Sequence, residues 1–394
     1  MQKCKSAFIE IKELKTTQIM NKLLLAFALC AMTAVAGAQT QKVSVLEYCP
    51  APGQFVNVLP EVEEGMTREQ VLKACEEQLA KKGYLVHLGS FGGYITVKFD
   101  HPVENKTGSD LLITGNAMYA ADDPVYGKET IGGSIEPGIV YVGVGDNVET
   151  AEWYELAGSE YFTDEYSRMR LTYYRPTAEE GDHALPGSMY DMYLKCSGLV
   201  TEKNDSCWDF TYYYPKLAAH KQTYWPMWET ADELTFEGGR LPNPAKKYEV
   251  DGRDYWVQYR YAADSYGYVD ACPANDPKYC SFDIDWAVDK DGRPVALDHI
   301  DFVRVATGVL QFCGLIGETS TEIDTFQDLH LVPGYDDAPY IITPRPNPNQ
   351  PVDGITAPTY KTRPSDTYYN LMGQKVDRLV RGQIYIHNGK KMVF

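Results

Sequence analysis

The chain has 394 residues, of which 44% are apolar, so it can bury the core of one large or two medium domains. Its 37 basic and 55 acidic side chains give a net charge of −18. This charge repels phosphate backbones and anionic lipid headgroups, which argues against nucleic acid and membrane surfaces as partners.

Residues 1–38 are predicted to be an N-terminal extension followed by a signal peptide. Lys22 supplies the basic region, Leu23–Val35 is an apolar stretch too short to span a bilayer comfortably, and Ala36-Gly37-Ala38 fits a cleavage site. The mature protein is therefore expected to begin at Gln39 and to lie outside the cell or on its outer surface. Its 32 basic and 53 acidic side chains give a net charge of −21.

Residues 39–335 are predicted to form a β-sandwich domain with one helix near its start. Thr67 and Gln70 form a capping box before the helical pattern, and Gly83 is expected to stop it. The following strands are predicted from alternation and β-prone runs: Tyr94–Asp100, Leu111–Thr114, Gly138–Val144, Arg168–Tyr174, Ser281–Asp289, Pro294–Leu297 and His299–Val309. Because helices are scarce between them, an antiparallel, jelly-roll-like β-sandwich is expected, mainly β in class.

The glycine-rich run Gly89-Ser90-Phe91-Gly92-Gly93 is predicted to be a turn. A phosphate-binding loop needs its glycines before a helix N-terminus, and here they come before a strand. The sequence contains no G-x-S-x-G and no H-E-x-x-H motif, and its seven histidines are scattered. These patterns favour a protein without catalytic function and without a cofactor.

Residues 177–279 do not follow the strand rhythm and are predicted to be a long insertion or small subdomain rich in aromatic residues. Two runs stand out, Tyr212-Tyr213-Tyr214 and Tyr224-Trp225 with Trp228 close behind. Adjacent strand residues point to opposite faces, so some of these rings should be exposed. Exposed rings stack on sugars or other flat ligands, which makes these six residues the predicted binding site. The alternative is that the rings form a small core for the insertion.

Carboxylates offer two further hypotheses. Asp283 and Asp285 could provide oxygen ligands to a structural Ca²⁺, although alternating acids on a solvated strand face explain them without a metal. A glycosidase needs two carboxylates at a set separation. Glu136, Glu152 and Glu155 lie near aromatic residues, but the sequence does not show which of them would pair.

Seven cysteines remain after removal of the signal peptide, so at least one stays unbridged. An oxidising compartment favours disulfides in turn-rich segments. Two pairs are predicted on this ground: Cys196 with Cys207, and Cys272 with Cys280. Cys75 is expected to be free on the helix, and the pairing of Cys49 and Cys313 is left open.

The C-terminal part begins with a Pro-rich linker, predicted at residues 336–358, and continues as a small β domain at 359–394. Two β-prone runs, Tyr368–Val376 and Gln383–Ile386, are each followed by a turn containing glycine. This domain resembles the sorting domain of type IX secretion substrates at Tyr369-Asn370-Leu371, Gly373-Gln374-Lys375-Val376, Gly382, Ile384-Tyr385-Ile386 and Asn388-Gly389-Lys390-Lys391. The resemblance implies passage across the outer membrane by the type IX machinery.

Most of residues 46–323 resembles a family of exported cell-surface proteins from bacteria with type IX secretion. The matching segments are LEYCPAPGQFVNVLP (46–60), LGSFGGYITVKFDHPVEN (88–105), GNAM (115–118), EPGIVYV (136–142), EWYELAGSEY (152–161), TYYRP (172–176), SFDIDWAVDKDGRPVALDHIDFVRVATGV (281–309) and GETSTEI (317–323). Relatives are often encoded beside outer-membrane receptors, including receptors for cobalamin, so such a receptor is an expected partner. The resemblance implies no particular site residues, and it is weakest over 177–279.

These patterns together predict a secreted or surface-displayed protein that binds a nutrient, either a cobalamin-like cofactor or a glycan, without changing it. A secreted glycan hydrolase is one alternative, and a structural or adhesive surface protein is the other. A pocket with convergent carboxylates would favour the hydrolase, a shallow aromatic cleft would favour binding, and a flat apolar patch would favour adhesion.

Overall fold

The computed structural model describes residues 41–119, 132–177, 189–250, 252–274, 277–333 and 335, together with the backbone of short strands between 368 and 393. The predicted signal peptide and the Pro-rich linker lie outside the described residues. The chain divides into two compact units, Met1–Arg345 and Pro346–Phe394.

The first unit has one α-helix among its described residues, α1 (Arg68–Leu79), and twenty-two strands. In chain order the first eleven are β1 (Val43–Cys49), β2 (Val86–His87), β3 (Tyr94–Phe99), β4 (Val103–Glu104), β5 (Leu111–Thr114), β6 (Met118–Tyr119), β7 (Gly132–Ser134), β8 (Gly138–Val144), β9 (Glu152–Leu156), β10 (Ser167–Tyr174) and β11 (Tyr190–Thr201). The remaining eleven are β12 (Cys207–Leu217), β13 (Glu233–Arg240), β14 (Ala245–Val250), β15 (Arg253–Tyr259), β16 (Tyr268–Val269), β17 (Ser281–Phe282), β18 (Ala287–Val288), β19 (His299–Ile300), β20 (Phe302–Thr307), β21 (Glu322–Ile323) and β22 (Thr325–Asp328).

The strands form several sheets in which neighbouring strands are antiparallel. The largest has the order β1-β3-β20-β8-β9-β18, with β16 also paired to β8. A four-stranded sheet has the order β12-β11-β10-β13, and another has the order β14-β15-β7-β6. Smaller sheets are β17-β5-β22, β19-β4 and β2-β21. The fold is therefore mainly β and sandwich-like with one helix, as predicted.

The helix α1 covers one face of the largest sheet. Its capping box is confirmed, because Thr67 Oγ1 accepts from the backbone N–H of Gln70, whose side chain accepts from the N–H of Thr67. The helix ends at Leu79, earlier than predicted. The backbone N–H of Gly83 donates a hydrogen bond to the side chain of Asp324. Its buried side chains pack with those of β3 in the main core. Among the described residues, no helix combines the length and apolar character needed to cross a bilayer.

The described part of the segment 177–279, which was predicted as an insertion, contains the strands β11 to β16. Strands β11 and β13 pair with the two sides of β10, and β12 continues the sheet beyond β11. This sheet packs on the largest one, since the N–H of Gly239 in β13 donates to the Tyr141 hydroxyl in β8. Strands β11 and β12 were not predicted, because exposed and half-buried residues make up most of both.

The predicted strand Ser281–Asp289 is broken in the structure. The Asp283 carboxylate accepts from the N–H of Asp285, which starts a short 3₁₀ helix, Ile284–Trp286, between β17 and β18. The inward pattern still holds, because Phe282 and Trp286 are both buried. Alternation therefore identified the buried side chains but not the backbone conformation, and the predicted last strand His299–Val309 is likewise divided into β19 and β20.

The glycine-rich run is a turn, as predicted. Gly89 and Gly92 have positive φ angles of 73° and 83°, a region that favours glycine. The backbone of Leu88 accepts from the N–H of Ala51, and the Gly89 carbonyl accepts from the Thr307 hydroxyl. The turn therefore joins the segment after β1 to the end of β20.

The second unit contains a small antiparallel sheet. Its strands are β23 (Tyr368–Tyr369), β24 (Lys375–Val376), β25 (Ile384–His387) and β26 (Lys390–Val393), in the order β24-β23-β25-β26. The described residues of the predicted run Tyr368–Val376 form two short strands, and the second predicted run overlaps β25.

Candidate functional site

The six aromatic residues predicted as a binding site are divided between core and surface. Tyr214, Tyr224 and Trp225 are buried, and the half-buried Trp228 stacks on Tyr48 with ring centroids 5.6 Å apart. Only two of the six have large exposed fractions, at 37% for Tyr212 and 43% for Tyr213. The buried three have a core role, but in a cluster that also contains Ala51 and Phe91 rather than in a separate small core of the segment 177–279.

Strand register shows which rings share a face. Tyr212 and Tyr214 lie opposite Cys196 and Leu194 of β11, both of which point into the core. Trp208 and Phe210 continue the same face in steps of two residues, opposite Val200 and Gly198. We name Trp208, Phe210 and Tyr212 the aromatic stripe. Tyr213 points to the opposite face and is not part of it.

The aromatic stripe continues the core-facing side of β12, where Phe210 packs against the core while Trp208 and Tyr212 are exposed. Trp208 is 44% exposed, Phe210 is half-buried, and their ring centroids are 5.5 Å apart. The indole N–H of Trp208 donates to Glu202, and the Arg240 guanidinium lies 6.0 Å from the indole ring. A side chain on Gly198 would place its Cβ 2.5 Å from the Phe210 ring, so that glycine makes room for the stripe.

Trp208 and Phe210 were not predicted as site residues, because neither is adjacent to another aromatic residue in the sequence. The signal that would have found them is alternation, since Trp208, Phe210, Tyr212 and Tyr214 occupy every second position of one strand. Among the described strands, β12 has a neighbour on one side only, so the stripe lies on an edge strand.

Residues 51–58, which we name the anchor loop, hold the buried aromatic segment. The N–H of Gly53 donates to the Tyr224 carbonyl, and the Pro52 carbonyl accepts from the Tyr214 hydroxyl. The Asn57 amide donates to the carbonyls of Thr223 and Trp225, both at 2.9 Å. Because all these bonds are formed within the protein, the segment around Trp225 has a structural role.

A buried polar cluster was not predicted at all. Residues 318–322 are all buried, although every one of them is polar or charged. His87 Nδ1 lies 2.6 Å from Glu322 Oε1, and Nε2 lies 3.6 Å from Glu318 Oε1. Burial alone lowers the pKa of His87, but the hydrogen bond to Glu322 and the charges of Glu318 and Glu322 outweigh it and raise the pKa to about 9.

Three acids lie at one end of this cluster. Glu136, Asp270 and Glu322 offer oxygens within 4.8 Å of one another, a spacing that could hold a metal ion. Asp270 accepts from the backbone N–H groups of Ala117 and Glu322, and Glu136 accepts from the N–H of Ser320. Burial, followed by the charge of Glu322, raises the pKa values of Glu136 and Asp270 well above the usual range. Protonation of Glu136 and Asp270 would therefore offset the close approach of the three acids without a metal.

The other predicted acids have separate local partners. Asp283 caps its 3₁₀ helix, and the exposed Asp285 accepts from the Asn105 side chain at 2.8 Å. Within the described part of the chain, the group of acids close enough to share a metal does not include them. The calcium prediction thus gains no support from this geometry. Glu152 accepts from the Tyr154 hydroxyl, and the buried Glu155 accepts from the Tyr166 hydroxyl.

The predicted Cys196–Cys207 disulfide is wrong. Cys196 lies opposite Tyr212 in the β11–β12 ladder, whereas Cys207 lies opposite Thr201, five positions along the strand. Five strand residues span about 17 Å, far more than a disulfide can bridge. The sulfurs of Cys272 and Cys280, in contrast, are 2.6 Å apart, so this second pairing stays a prediction that the geometry favours.

Thiol labelling of the native protein should distinguish Cys196 from Cys207. We expect maleimide to modify the exposed Cys207 and to leave the fully buried Cys196 unmodified, because burial also raises the pKa of Cys196 to about 12. Mass spectrometry after digestion measures both sites, and denatured protein provides the control in which both react. Protection of Cys207 in the native protein, with its release by reductant, would contradict this assignment.

No family model matches the chain, and a search of curated proteins also gives no match.

Proposed function

We propose that this chain is an exported, surface-displayed binding protein that captures a nutrient without chemical change, with the aromatic stripe as its contact surface. The observation that carries this proposal is a row of three aromatic rings on one face of an edge strand, two of which, Trp208 and Tyr212, are exposed. Aromatic side chains provide flat apolar faces, and each stacking pair contributes about 0.5–1.5 kcal/mol beyond buried area. Export is supported by the signal-peptide pattern and by the resemblance of the C-terminal unit to type IX sorting domains.

The geometry of the stripe favours a glycan over a cobalamin-like cofactor. Rings at every second strand position repeat at intervals of about 7 Å along a line. A linear chain of sugar rings can follow such a row, whereas a compact macrocycle covers only part of it. Glu202 beside Trp208 provides a hydrogen-bond acceptor for hydroxyl groups, and the net negative charge of the protein disfavours anionic ligands. Cobalamin remains a second candidate through the family resemblance alone, as does an outer-membrane receptor as partner.

Substitution of the stripe should weaken glycan binding. We expect Trp208→Ala and Tyr212→Ala each to reduce affinity by about 2- to 12-fold, the equivalent of one stacking pair. Calorimetry with neutral oligosaccharides of different backbones, and separately with cobalamin, measures the effect. Tyr255→Ala is the matched control, because Tyr255 is 40% exposed but lies on β15 in another sheet.

Three results would contradict the proposal. Unchanged affinity in both stripe variants would show that the ligand binds elsewhere. Release of shortened sugars would identify a hydrolase. Absence of binding to every oligosaccharide and to cobalamin, with adhesion of the intact protein to cell surfaces, would favour the adhesive alternative.

A further inference from the structure

The feature that the proposed function leaves unused is His87, a fully buried imidazole between two carboxylates. Its exposed fraction is 0%, and Glu318 and Glu322 are also buried. Nδ1 is in hydrogen-bond contact with Glu322, but Nε2 has no hydrogen-bond partner among the described residues. The second oxygen of Glu318, Oε2, has no partner there either.

A protonated imidazole satisfies both carboxylates in this arrangement, because it carries an N–H group on each ring nitrogen. A neutral histidine has one N–H group, and the 2.6 Å contact with Glu322 places it on Nδ1. Nε2 would then present a lone pair to the Glu318 carboxylate at 3.6 Å, so that two buried acceptors face each other. A proton on Nε2 converts this repulsion into an attraction between opposite charges.

Groups from several elements face this imidazole. Glu318 comes from the segment before β21 and Glu322 from β21, while the Ser320 hydroxyl lies 3.3 Å from Nδ1. Phe55 packs edge-on against both His87 and His220, and burial together with the charges of Lys216 and His87 lowers the pKa of His220. Further groups contact these partners or the backbone of His87: Glu136, Asp270, Gln54 and Tyr48. The acids closest to the ring therefore dominate its electrostatic environment.

Glu318 connects the imidazole to the anchor loop. Its Oε1 accepts from the backbone N–H of Gln54 at 2.6 Å. The loop lies directly on the ion pair, because a Cβ on Gly53 would be 2.7 Å from Glu318 Oε1 and 2.9 Å from His87 Nε2. The same loop holds the Tyr224–Trp225 backbone and the Tyr214 hydroxyl, and Tyr214 is in the same strand as the aromatic stripe.

We propose that His87 is a proton-dependent latch, whose protonated form holds Glu318 and, through it, the anchor loop and the segment 222–227. Loss of the proton leaves Glu318 facing a lone pair, which loosens the anchor loop while the sheets remain folded. The folded pKa of His87, about 9, lies above its ordinary value of 6.5. The stabilisation is therefore fully present below about pH 6.5 and is lost as the pH rises through about 9.

Hydrogen exchange on the intact mature protein tests the latch without any ligand. With rates corrected for intrinsic exchange, we expect peptides covering 51–58 and 222–227 to lose protection at least about tenfold between pH 7.5 and pH 10. A peptide covering β8 should keep its protection, which separates local loosening from global unfolding. Equal protection of the anchor loop at both pH values would overturn the proposal.

Glu318→Gln is the decisive variant. Its amide keeps an oxygen for the Gln54 N–H and can donate to neutral Nε2, so we expect the alkaline loss of protection to disappear. If this variant does not fold, Glu322→Gln takes its place, and the loss should then occur at lower pH because one acid no longer favours the imidazolium. His220→Phe is the control and should keep the wild-type transition. A transition unchanged in the Glu318 or Glu322 variant, or abolished in the His220 variant, would exclude His87 as its origin.

Discussion

Replacing Trp225 by Ala is expected to lower the free energy of unfolding by about 3–5 kcal/mol, the range for removal of a large aromatic side chain from a packed core. Trp225 is only 2% exposed and belongs to a core cluster with Tyr173, Tyr214 and Phe236. The Arg175 guanidinium lies over its ring at 5.2 Å, and the Asn57 side chain holds its backbone. The substitution therefore leaves a cavity that the surrounding hydrogen bonds prevent from closing.

Urea denaturation measures this effect. Tyr212→Ala is the matched control, because it removes an aromatic ring from an exposed position and should cost less than about 1 kcal/mol. If the Trp225→Ala protein kept the stability of the wild type but no longer bound glycan, Trp225 would be identified as a ligand-binding residue. Loss of both stability and binding in this variant would carry no information about ligand contact.

The contrast between Tyr213 and Trp225 shows what a local pattern can predict. Within β12, adjacent side chains alternate between the two faces, so Tyr213 had to leave the core-facing side that Tyr212 and Tyr214 share. Tyr224 and Trp225 are not in a strand, and both can be buried because the anchor loop satisfies their backbone. That loop is more than 150 residues away in sequence, so no local signal indicated it.

The capping box and several strands, including β5 and β8, were predicted because they depend on neighbouring residues. The His87 cluster was not predicted, because its parts come from β2, β21 and the segment before it. Polar residues 318–322 suggest an exposed loop when read alone. Their burial is tolerated only because groups from distant segments, such as the Gln54 N–H, provide hydrogen bonds. A single sequence does not show such long-range pairing.

The turn at Gly89 gives the second large expected effect. Gly89→Ala should lower the free energy of unfolding by about 2–5 kcal/mol, combining the cost of a left-handed conformation with that of overpacking. Gly89 has a φ of 73°, and a Cβ there would lie 1.9 Å from the Ala51 carbonyl oxygen. The backbones of Ala51 and Gly89 cannot easily move apart, since the N–H of Ala51 donates to the Leu88 carbonyl and the Gly89 carbonyl accepts from the Thr307 hydroxyl.

Gly83→Ala separates the two costs. Gly83 has a similar φ of 80°, but a Cβ there meets nothing within 4 Å, so only the conformational cost of about 1–2 kcal/mol remains. Urea denaturation of both variants gives the difference, which measures how tightly the turn packs on the start of the anchor loop. Equal losses in the two variants would mean that the close contact between Gly89 and Ala51 relaxes freely. The glycine would then be required at position 89 for its backbone conformation alone.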